Sequence, residues 1–161
     1  MPLADFILSN TEKILSEWED FARNLTPGPA MSVIALRDHA ESILRAAARD
    51  MLSLQTSRQQ SEKSKGHGAG GSASEHLDRA SEEHAISRLA VGFNLIEVVS
   101  EYRALRASVL QLWQAAVHEA DAHDLEDLTR FNESIDQSLA QAVRSYTNRI
   151  NESRELFLAT L

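Results

Sequence analysis

The chain has no cysteine among its 161 residues. That excludes disulfides, thiol catalysis and cysteine metal sites, and it fits a cytoplasmic protein. Proline and glycine are scarce, at 3 and 6 residues, so long uninterrupted helices are permitted. No run approaches the roughly 20 apolar residues of a membrane span. The opening MPLADFILSN lacks the basic region and long apolar core of a signal peptide. Basic charge is also short. The formal net charge is −8, and Lys and Arg are scattered rather than massed in one run. A nucleic-acid partner and an anionic membrane are disfavoured for that reason. There is no nucleophile elbow, P-loop or kinase catalytic loop, so no enzyme chemistry is visible in this chain.

What is present reads as one soluble domain, or one domain plus an extension. Hydrophobic residues make up 43% and charged residues 25%, enough apolar material for a real core. Apolar spacing of three and four predicts an all-α fold of five helical segments. The first spans about Leu3 to Asn24, with Phe6, Ile7, Ile14, Leu15, Trp18 and Phe21 as its stripe, and Thr26-Pro27-Gly28-Pro29 ends it. The second spans about Ala30 to Gln59, with Val33, Leu36, Ala40, Ile43, Leu44, Ala47, Met51 and Leu54 inward. Its pairs Arg37–Glu41 and Glu41–Arg45 are four apart and suited to ion pairing. Residues 61–74, SEKSKGHGAGGSAS, read as a flexible loop, with His67 a solvent-exposed loop residue.

The third segment starts near Ser74 or Glu75 and runs to about Ala90; the fourth runs from about Asn94 to His118. Gly92 between them marks either a boundary or a kink. Ile86, Leu89, Phe93, Ile96, Val99, Tyr102, Leu105, Val109, Leu112 and Ala116 keep the helical period, well beyond strand length. The fifth begins around Asp121 to Asp124, where acids suit a helix N-terminus. It continues to the end through Leu128, Phe131, Ile135, Leu139, Ala142, Tyr146, Ile150, Phe157 and Leu161. At about 1.5 Å per residue it is about 60 Å long, more than a small domain's diameter. Its last part is expected to project, to pair with another chain, or both. The final RELFLATL is apolar without a glycine cap or proline, which suggests a segment of a longer protein.

The polar set inside the third and fourth segments is the candidate site: His84, Arg88, Glu101, Tyr102 and Arg106, with Glu97 and Arg103 nearby. His84 and Arg88 are four apart and share a helix face. Two readings are open. Arg88 and Arg106 grip a small anion beside a proton-sensitive His84, or the set is a group of salt bridges that fixes helix packing. His84 is also the natural axial candidate if a haem is bound, but no second haem determinant accompanies it. HEADAHD at 118–124 is not the metalloprotease spacing and reads as an acidic helix-to-helix turn.

LRDHAESILRAAARDM at 36–51, SKG at 64–66 and the HAISRL…GF…EYRALRASVLQLW block resemble the N-terminal sensory domain of stressosome co-antagonist proteins. That domain also heads many bacterial sensor histidine kinases. The resemblance covers roughly Ile14 to Leu161. It implies a globin-like all-α domain, usually without haem, that dimerises and sits upstream of an output module joined by a long helix. On this reading residues 1–121 form the sensory domain, and residues 122–161 form a long signalling helix that packs on the domain and leads to an output domain absent here. Leu139, Tyr146, Ile150 and Phe157 are its expected dimer face. The expected function is signal input to a sensor histidine kinase in a two-component phosphorelay. The alternatives are a haem- or small-ligand-binding sensor and a stressosome-type scaffold. Expected partners are a second copy, the chain's own output domain and an unknown small ligand; no metal or cofactor is expected.

Overall fold

The apolar stripe from Phe6 to Trp18 forms helix, as its spacing requires, but the helix breaks once at Asn10. In the computed structural model, which describes residues 1–25, 33–53, 72–117 and 119–161, Leu3–Ser9 is α1 and Thr11–Leu25 is α2. At the break the Asn10 side-chain amide donates to the Phe6 carbonyl at 3.0 Å, and the Thr11 hydroxyl donates to the Ile7 carbonyl at 2.8 Å. These side chains compete for the carbonyls that the helix would otherwise use. The single expected segment is therefore two helices, while Phe6, Ile7, Ile14, Leu15 and Trp18 are all buried. Phe21 departs from the stripe and is exposed.

Four more helices follow: α3 Val33–Leu52, α4 Ser72–Ala90, α5 Leu95–Ala116 and α6 Ala122–Ala159. Among the described residues the chain is all-helical, with no strand. The expected continuation of the second segment to Gln59, with Leu54, lies outside the described residues, as does most of the glycine-rich stretch. Residues 72–74 of the expected loop are helical. Within α3, Glu41 accepts from Arg45 at 2.9 Å. Arg37 instead turns to α2, where it bonds Glu12 and stands 3.6 Å from Glu19.

Gly92 separates two helices. Its φ of +91° is a left-handed value that only glycine adopts easily. Its N–H donates to the Leu89 carbonyl at 3.2 Å and the Phe93 N–H to the Arg88 carbonyl at 3.0 Å. Together these two bonds close α4 as a Schellman motif. Asn94 then opens α5 with a capping box. Its side chain accepts from the Glu97 N–H at 2.8 Å, and Glu97 accepts from the Asn94 N–H at 3.1 Å. Asp121 and Asp124 make the same reciprocal cap at the start of α6, so the acidic turn is a helix start.

One apolar core joins helices α1 through α6, with Trp18, Ile43, Phe93, Tyr102, Trp113, Phe131 and Ile135 among its large members and Ala85 from α4. A smaller cluster of Ala46, Ala47, Leu77 and Ala80 closes α3 on α4. The first half of α6 belongs to this body: Phe131, Ser134, Ile135, Ser138, Ala142 and Tyr146 are buried. The Leu3 N–H also donates to Asp127 at 2.9 Å, tying α1 to α6. From Thr147 onward every residue of the chain is exposed. Among the described residues no helix is long and apolar enough to cross a membrane.

Candidate functional site

Two buried helix faces carry polar residues where apolar ones would be expected. On α4 the inward positions are Leu77, Ser81, His84, Ala85 and Arg88; on α5 they include Val98, Glu101, Tyr102, Leu105 and Val109. Both sets step by three and four, so each is one stripe of one helix. After the Gly92 turn the side chains of Arg88 and His84 on α4 reach Glu101 on α5, which brings the polar members together.

Arg88 and Glu101 form the centre. The Arg88 Nε–H is shared by both carboxylate oxygens of Glu101, at 2.9 Å each. The Arg88 side chain has 0% exposure and that of Glu101 3%. Arg88 Nη1 lies 3.0 Å from His39 Nδ1 on α3. A guanidinium only donates, so Nδ1 accepts and His39 is neutral, with its proton on Nε2. Burial, reinforced by the neighbouring Arg88 charge and His84, lowers the His39 pKa from its ordinary 6.5. The arginine also lies over the Phe93 ring, 5.3 Å from its centre.

His84 sits on the other side of the carboxylate, its Nε2 3.5 Å from Glu101 Oε1. Its ring stands edge-on to His39 and to Tyr102, at 5.9 and 5.5 Å between centres. Neither ring nitrogen of His84 makes a hydrogen bond among the described residues. The Trp18 indole N–H donates to the Glu101 carbonyl at 3.2 Å, which brings α2 into the site. His84, Glu101, Tyr102 and Trp18 border a void with about 10 Å³ for water centres, about the size of one water molecule.

Tyr102 carries the network to α6. Its hydroxyl accepts from Ser138 at 2.8 Å, and Ser138 lies 2.5 Å from the Ser81 hydroxyl on α4. Burial pushes the Tyr102 phenol well above its ordinary pKa, so it stays protonated. Lower on α6, the Tyr146 hydroxyl donates to the Phe93 carbonyl in the α4–α5 turn at 2.7 Å.

The structure thus brings His84, Arg88, Glu101 and Tyr102 together and leaves Arg106 out. Arg106 follows Glu101 by five residues, about 140° around the helix, and pairs with Asp136 at a partly exposed surface. Its expected grip on a shared anion with Arg88 has no geometric basis. Glu97 is spent in the capping box and Arg103 is exposed. The expected dimer face also divides. Tyr146 is buried and Leu139 packs partly buried against the core, so both serve the chain's own fold. Ile150 and Phe157 are exposed. Sequence reasoning missed His39, Trp18, Ser81 and Ser138 as members of the site.

A haem does not fit beside His84, because the void there is of water size and helices α2, α3 and α5 would have to part. Among the described residues no group of three or more His, Asp or Glu is placed to hold a metal. The arrangement is a charge-neutral ion pair buried in the core, flanked by two histidines.

The chain matches the protein family described as RsbT co-antagonist protein rsbRD N-terminal domain, over residues 12–154. No protein of curated function and no solved structure matches it.

Proposed function

The chain belongs to the family of rsbRD N-terminal domains, and from that premise we propose that it is the signal-input and dimerisation domain of a cytoplasmic bacterial sensor histidine kinase. This chain performs no catalysis on that reading; phosphoryl transfer belongs to an output domain that follows it. The globin-like arrangement that the family resemblance implies is compatible with the helices described above.

The observation that carries the proposal is the sealed Arg88–Glu101 pair with its two histidines. Burying two charges costs several kcal/mol per ion, and well-packed apolar residues often do the structural job equally well. Here the pair sits where α3, α4 and α5 meet, and Trp18 and the Tyr102–Ser138 bond extend it to α2 and α6. A proton or a small polar ligand that favours a different pairing would shift helix packing at the root of α6. It can do so only by its differential affinity for the two packings. The projecting end of α6, with Ile150, Leu156, Phe157, Leu158 and Leu161 exposed, then pairs with a second copy and passes the shift onward.

The test uses the full-length protein. Incubation with ATP labelled at the γ-phosphate is expected to give an acid-labile, alkali-stable phosphoprotein, the signature of phosphohistidine. Glu101→Gln is expected to change the rate of labelling. Absence of phosphohistidine would leave the stressosome-type scaffold reading in its place. Labelling unchanged in a Glu101→Gln protein that melts lower would make the pair purely structural.

A further inference from the structure

Folding gathers basic residues that the sequence scatters. Helices α3 and α4 run antiparallel, since His39 meets Arg88 at one end and Ala47 packs with Leu77 towards the other. Ala46 and Ala80 form the narrow floor between them. Along each helix the outer face steps by three and four: Ser42, Arg45 and Arg49 on α3, and His76, Arg79 and Glu83 on α4. These residues rise on either side of the alanine floor and line a surface groove of about 270 Å³.

The charge of the groove opposes that of the molecule. Arg45, Arg49 and Arg79 set against Glu41 and Glu83 leave a formal +1, where the whole chain carries −8. Arg45 is engaged by Glu41 at 2.9 Å. Arg49 and Arg79 have no carboxylate partner among the described residues, and both are exposed. On helices, unpaired guanidiniums usually find an acid three or four residues away. Arg49 has no acid at those spacings; Arg79 has Glu75, Glu82 and Glu83 there, yet forms an ion pair with none of them.

We infer that the groove between α3 and α4 is a binding site for a small multiply charged oxyanion of the diphosphate class, held by Arg49 and Arg79 with Arg45 and His76 beside them. A guanidinium presents a planar fork that pairs with two phosphate oxygens at once. Two such forks, one on each wall, match a ligand with two phosphate groups better than a single carboxylate. The concave shape selects a compact soluble anion over a flat membrane surface. None of these side chains belongs to the buried Arg88–Glu101 network, so the site stands whether or not that network senses anything.

The probe is inorganic pyrophosphate, titrated calorimetrically into the chain at low salt. Saturable binding is expected with a dissociation constant on the order of 1 mM or tighter. It should weaken as salt is raised past roughly 0.15 M, where exposed charges are largely screened. Arg49→Glu combined with Arg79→Glu should abolish it while leaving helix content and melting nearly unchanged, because both positions are exposed. Glu83→Gln should tighten it severalfold by removing the opposing charge from the wall. Vesicles containing phosphatidic acid provide the lipid arm, and no binding to them is expected. The assignment is overturned if pyrophosphate does not saturate the protein, if the double reversal binds as well as the parent, if Glu83→Gln has no effect, or if vesicles bind where pyrophosphate does not.

Discussion

Arg88 and Glu101 have almost no solvent contact, so each supplies most of the charge compensation available to the other. Arg88→Met would strand a carboxylate in the core, and a loss of about 3–5 kcal/mol is expected from denaturant unfolding. Arg88→Met with Glu101→Leu should recover most of that loss, because the desolvation penalty goes with both charges. His39 sets a pH dependence of known sign. Its pKa is lowered in the folded state from an ordinary value of 6.5, so the unfolded chain binds the proton more readily. The contribution is full above about pH 6.5 and is lost as pH falls through the folded value. Stability should therefore decline on acidification below that point, and His39→Gln should flatten that part of the profile. The sequence disclosed the pair better than its surroundings. His84, Arg88, Glu101 and Tyr102 interrupt apolar stripes on adjacent segments, which is a local signal. His39 lies 49 positions from Arg88, and no spacing rule connects residues that meet only through tertiary packing. Arg106 misled because a short distance along the chain is not a shared face.

At the scale of elements, the period of three and four gave the helices their places, and local polar chemistry set their ends. Asn94 with Glu97 and Asp121 with Asp124 each make a capping box, and both patterns stand in the sequence. The break at Asn10 was not legible, because the apolar stripe runs through it without a missed step. Gly92 was ambiguous for a different reason: glycine within a helical run signals either a kink or an end, and only the backbone angle decides. No heavy atom lies within 4 Å of where a Cβ would be at Gly92, so space does not oppose a side chain there. The conformation does. Gly92→Ala is expected to destabilise by about 1 kcal/mol or somewhat more, measured by thermal unfolding, through strain at positive φ.

For the whole molecule, α6 changes character along its length. Up to Tyr146 the helix is part of the core; beyond it Ile150, Leu156, Phe157 and Leu158 face solvent. Residues 147–161 hold Arg149 and Arg154 against Glu152 and Glu155, so this stretch is neutral in an otherwise acidic chain. Two copies can pair there without bringing like charges together. On the proposed pairing, Ile150→Glu with Phe157→Glu should shift sedimentation from dimer to monomer at unchanged helix content. Tyr146→Phe should lower stability by about 1 kcal/mol through the lost bond to the Phe93 carbonyl and leave dimerisation intact. Among the described residues that same tyrosine bond is the last hydrogen bond from α6 to the body, which makes it a fulcrum. The helix beyond it, from Thr147 to Ala159, is a rigid arm of about 20 Å. A tilt of about 5° at Tyr146 moves the tip of such an arm by nearly 2 Å, given a helical rise of about 1.5 Å per residue. A rearrangement of the α4–α5 turn too slight to open the core is thereby magnified to about the radius of an atom at the far end of the helix.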